Sequence, residues 1–98
     1  MSHRNELPIP PIAEADPKAR ELIRIWGAGG KQHVTLATGF WKDPAAWGIC
    51  LVDLAKHVAN AYQQSEGLDY FETLKRIRDG MAAEWGSPTD DPAGDLLR

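Results

Sequence analysis

A single cysteine, Cys50, stands in the chain, so neither an intrachain disulfide nor a zinc site built from several cysteines can form. No apolar run approaches the ~20 residues that span a bilayer. The N-terminal Met1-Ser2-His3-Arg4-Asn5-Glu6-Leu7-Pro8 lacks the hydrophobic core of a secretion signal. Excess positive charge is missing too: 11 Lys and Arg face 14 Asp and Glu, for a net charge of −3. A dedicated nucleic-acid binder needs clustered cations to neutralise phosphates, so that class is set aside. The one basic cluster, Lys75, Arg76 and Arg78, fits a solvated helical face. Gly27-Ala28-Gly29-Gly30 precedes a strand-like segment rather than a helix, so its glycines read as turn makers and not as a phosphate cradle. These absences lead us to expect a cytoplasmic protein with no nucleic-acid or membrane partner, no cofactor and no metal.

What is there, and in quantity, is tryptophan: Trp26, Trp41, Trp47 and Trp85 in 98 residues. A chain of this length makes one domain. With both ends loosely held, about 70 residues fold, a size that buries only about 60% of its unfolded surface. Such a domain is marginal unless it oligomerises or is stapled, and a lone cysteine removes the staple. The tryptophans are therefore read as core plus subunit interface in preference to a cofactor pocket.

Along the chain, residues 1–16 form a proline-rich arm in which Leu-Pro-Ile-Pro-Pro-Ile favours extended, polyproline-like backbone. Leu7, Ile9 and Ile12 either ride on a floppy terminus or lie across a groove. Residues 17–86 are expected to make one α+β domain, a β-hairpin packed on a long central helix and a second antiparallel helix. Residues 87–98 read as a flexible acidic tail.

Ala19, Leu22, Ile23 and Trp26 have helical spacing, but Leu22–Trp26 and Gln32–Thr38 alternate as two strands. A four-residue loop over 27–30 pairs Trp26 with Lys31 and Arg24 with His33. One face then gathers Ile23, Ile25, Val34 and Leu36, while Arg24, Lys31, His33 and Thr35 take the other. Its outer edges are open to pairing with another copy.

Asp43-Pro44 marks a helix start, and Trp47, Leu51, Leu54, Val58 and Tyr62 form one stripe of a helix reaching about Gln64. Ile49, Cys50 and Val52 lie off that stripe, so the first half is apolar on several sides. Gly48 suggests a close backbone approach there. Asp69 with Glu72 opens the last helix, whose stripe is Tyr70, Leu74, Ile77 and Met81.

Candidate chemistry is sparse. Asp53 and His57 stand one helical turn apart, the spacing at which a carboxylate orients an imidazole, although a solvated pair has the same spacing. Arg24 and His33 share the outward hairpin face, where an anion or another subunit's sheet fits. Cys50 reads as a small hydrophobe. His3 carries no inference. No catalytic residue is assigned; the candidate ligand or interface residues are Arg24, His33, Trp41, Trp47, Asp53 and His57.

Leu22-Ile23-Arg24-Ile25-Trp26, the run Gly29–Leu36, Trp41-x-Asp43-Pro44-x-x-Trp47-Gly48-Ile49 and Asp53-Leu54-Ala55-x-His57-Val58 together resemble a family of small bacterial proteins, domain of unknown function 5076. The resemblance implies a bacterial cytoplasmic protein and supports the hairpin, and it brings no activity or site residues. The expected function is a non-enzymatic interaction or assembly protein, a homo-oligomer with a dimer favoured. The alternative is a small-ligand module or minor enzyme with a polar site at a subunit interface.

Overall fold

A computed structural model describes residues 2–87 and 96–97. Its elements run α1 (Pro11–Ala15), β1 (Ile23–Ala28), β2 (Lys31–Leu36), α2 (Ala45–Glu66), α3 (Tyr70–Gly86) and β3 (Leu96–Leu97). The α+β content expected from the sequence is present, with the antiparallel hairpin and the two long helices in the expected segments. Two compact units divide the chain, Met1–Ala37 with Asp95–Arg98, and Thr38–Gly94.

In the first unit the hairpin sorts its residues by face as expected, but not by the expected register. Ile23 lies opposite Leu36, Ile25 opposite Val34, Arg24 opposite Thr35, Trp26 opposite His33 and Ala28 opposite Lys31. The partner of each β1 residue is thus two positions further along than a four-residue loop gives. The cause is the turn. Gly29 and Gly30 sit at φ of 60° and 74°. Two successive positive-φ residues make the mirror-image turn whose twist matches a hairpin, so Gly27 and Ala28 continue the strand instead of looping. A shift of two leaves side-chain alternation unchanged, which is why the faces are right and the partners wrong. Gly30→Val is expected to destabilise this unit by roughly 1–2 kcal/mol, the cost of a branched side chain in left-handed backbone. Urea unfolding followed by Trp26 fluorescence, with the other tryptophans replaced by Phe, checks it.

β3 adds two residues parallel to β2, with Leu96 beside Val34 and Leu97 beside Thr35. The acidic-tail expectation otherwise falls on residues 88–95 and 98, outside the described residues.

The second unit is an antiparallel helical pair. The Asp43 carboxylate accepts the Ala45 N–H at 3.0 Å, so it caps α2 as its sequence position suggested. Gly67, at φ 70°, ends the helix by donating its N–H to the Gln63 carbonyl at 3.1 Å. Asp69 accepts the Glu72 N–H at 2.9 Å and opens α3.

Packing in this unit departs from expectation. Among the described residues only Ala59 of α2 is buried, at 0% exposure. Ala55 on α2, and Tyr70, Thr73, Leu74 and Ile77 on α3, are half-buried. The expected core stripe is not the core: Leu51, Leu54, Val58 and Tyr62 are exposed. Small side chains let helices approach closely, and Ala55 and Ala59 turn the Leu54–Val58 line some 100° away from that seam. Among the described residues, nothing beyond the helix's own backbone lies within 4 Å of a Cβ placed at Gly48. Trp41 and Trp47 stack edge to face, ring centroids 5.1 Å apart at 84°. No helix among the described residues is long and apolar enough to cross a membrane.

Candidate functional site

The most structured polar cluster lies in the first unit and centres on Arg24. The alternation of β1 sends this side chain to the face opposite Ile23 and Ile25. There its Nη1 donates to Glu6 Oε2 at 2.6 Å, across 18 residues of sequence. Its Nε and Nη2 donate to the two carboxylate oxygens of Glu21 at 3.1 and 3.2 Å, a forked contact that matches the planar guanidinium.

These partners, first Glu21 by hydrogen bond and charge and then Glu6, raise the Arg24 pKa above its ordinary value. A raised basic pKa contributes stability that is complete below the unfolded-state value and disappears only as pH climbs past the folded one. The guanidinium contact is therefore intact throughout the physiological range, and loss of its charge is a strongly alkaline event.

Beside it the arm is held a second time. The His3 ring meets Trp26 edge to face at 5.1 Å, and His3 Nδ1 accepts the Asn5 N–H at 3.0 Å. Glu6 and His3 thus tie the arm to β1. Sequence reasoning missed both: His3 lay in a segment taken for a terminus, and a carboxylate 18 residues from its partner leaves no local pattern. Leu7 and Ile12 stay 85% and 87% exposed, so they do not anchor the arm.

Between arm and strand runs a groove of about 510 Å³. Leu7, Ile9, Ile23, Ile25 and Trp26 give it apolar walls, and Glu6 and Arg24 a polar end. Replacing Arg24 by Met is expected to release the arm and speed amide exchange at Asn5 and Glu6 severalfold, with exchange in β2 unchanged. Hydrogen–deuterium exchange resolved to those residues measures it.

The remaining candidates are simpler. His33 stands opposite Trp26 rather than opposite Arg24, with its Nε2 3.1 Å from the Ala28 carbonyl oxygen. It belongs to the turn end of the hairpin. Trp41 and Trp47 come together as the edge-to-face pair described above. Asp53 and His57 lie on the exposed polar side of α2, and no hydrogen bond joins them. Cys50 is half-buried.

A family model described as "Domain of unknown function (DUF5076)" matches residues 6–89, and the chain belongs to that family. The solved structures similar to it include one from the photosynthetic bacterium Rhodopseudomonas palustrus CGA009, described as a "putative pyruvate dehydrogenase". It is 30% identical, each chain covers 100% of the other, and the TM-score is 0.73. No curated protein matches.

Proposed function

We propose that this DUF5076 protein is a non-enzymatic homo-oligomeric association protein, with the apolar side of its helical pair as the contact. One observation carries the reading. Among the described residues a single side chain is buried, while Leu51, Leu54, Val58, Tyr62, Phe71 and Trp85 of the helical unit are exposed. A monomer seldom leaves so many large apolar side chains in water, and burying them against a second copy stabilises at about 25 cal/mol per Å² removed from water.

A homodimer, two copies related by a twofold axis, is the smallest closed arrangement of such a surface. Cytoplasmic location fits the same reading. An oxidoreductase role, which the name of the Rhodopseudomonas protein suggests, receives no support from the groove. Its arginine is already held by two carboxylates, which leaves little net charge for a substrate anion.

Native mass spectrometry and sedimentation equilibrium test the proposal. Twice the chain mass, or a higher even multiple, at micromolar concentration is expected. A stable monomer up to 100-fold higher concentration overturns it.

A further inference from the structure

We infer that the free edge of β1 is a second interface between copies of this chain, formed by β1 of one copy pairing antiparallel with β1 of another about a twofold axis through Ile25. It goes beyond the helical contact proposed above and stands on different observations. β1 is the outer strand of the sheet, with β2 on one side only. The Ala37 N–H donates to the Leu22 carbonyl, which fixes the alternation: Leu22, Arg24, Trp26 and Ala28 turn their backbone groups toward β2. Ile23, Ile25 and Gly27 therefore point theirs outward, and among the described residues no backbone hydrogen bond reaches them.

A groove lies beside this edge. It is lined by Ile23, Arg24, Ile25 and Trp26, residues from both faces of β1, and by no residue of β2, so it follows the edge itself. The rest of its lining comes from the arm, α1 and residues 19–21, and Pro8 and Pro10 of the arm have no N–H to offer the strand.

A second copy of β1 is the occupant that uses every outward group. With Ile25 opposite its own symmetry mate, Ile23 faces Gly27 and Gly27 faces Ile23, and the three pairs exchange six backbone hydrogen bonds. This register also sets Arg24 opposite Trp26. Sliding the partner by two residues either way leaves an outward pair unmade. The Ile23–Ile25–Val34–Leu36 face then continues across the axis into that of the partner, and Ile25, 47% exposed in the single chain, meets its own symmetry mate.

Cysteine crosslinking in a Cys50→Ser background tests the inference. Opposed residues of a hydrogen-bonded antiparallel pair have Cα atoms about 5.5 Å apart, within disulfide range. Ile25→Cys is thus expected to oxidise to a covalent dimer. Ile23→Cys, whose symmetry mate lies some 13 Å along the strand, is not. A mixture of Ile23→Cys and Gly27→Cys chains should link where neither does alone, and this mixture decides the matter if Ile25→Cys fails to fold. An oligomer of the expected mass with no Ile25→Cys link overturns the inference, leaves the helical contact standing and makes the arm a guard of the edge. Equal linking of Ile23→Cys and Ile25→Cys, the mark of random collision, overturns it too. A monomer that never links overturns both readings.

Discussion

Replacing Leu54 and Val58 together by lysine is expected to weaken self-association by about 100-fold or more while leaving the helical content of the chain unchanged. The asymmetry follows from where these residues sit. Each is roughly 40% exposed in the single chain (41% and 37%), so a lysine there lifts its ammonium into water and costs α2 little. Lysine is also a good helix former, close to leucine in intrinsic propensity. Once a second copy covers the surface the escape route closes. Two unpaired charges per chain are then desolvated, and a penalty of about 3 kcal/mol, modest for buried unpaired charge, already corresponds to two decades in Kd. Sedimentation equilibrium reads the mass and far-ultraviolet circular dichroism the helices. Lys56→Glu, a charge reversal on the polar side of the same helix, is the matched control and should leave mass unchanged. An unaltered association constant for the double lysine variant would sink the helical contact.

That surface was only partly legible in the sequence, and the limit is physical. Asp43 and Asp69 with Glu72 act within three residues of themselves, so their capping roles could be read directly and the helices began where they marked them. The apolar stripe Trp47–Leu51–Leu54–Val58–Tyr62 was equally visible. Which chain covers it was not. Periodicity reports that a face wants burial and says nothing of whether the cover comes from α3 or from another molecule. In the hairpin, alternation gave the faces but not the partners, because two registers that differ by two residues sort side chains identically and only the φ angles of Gly29 and Gly30 separate them. The Arg24 cluster was half visible: the arginine was singled out, while Glu6 and His3 reach it through chain folding that no short-range pattern records. For Asp53 and His57 the helical spacing was right, yet no hydrogen bond joins them and both are exposed. The spacing permits a contact without requiring one.

The seam between α2 and α3 yields the second large effect, through Ala59. Ala59→Leu adds three carbons at the one position among the described residues that water does not reach. Overpacking of a closed site costs typically 1–3 kcal/mol, because the added atoms force the helices apart or the neighbours out of their rotamers. In a domain this small such a loss lowers the melting temperature by on the order of 10 °C. The control is Ala83→Leu, the same chemical change at an exposed position of α3, expected within about 0.5 kcal/mol of the parent. Thermal unfolding followed at 222 nm measures both. The two helical variants also separate stability from association. The lysine pair should lose mass with its helices intact, whereas Ala59→Leu should lose mass only as its helices melt, because the contact surface exists only while α2 and α3 hold each other in place. Ala59→Leu chains that remain fully helical but monomeric well below their melting point would show that the seam itself, and not the Leu54–Val58 line, is the contact between copies.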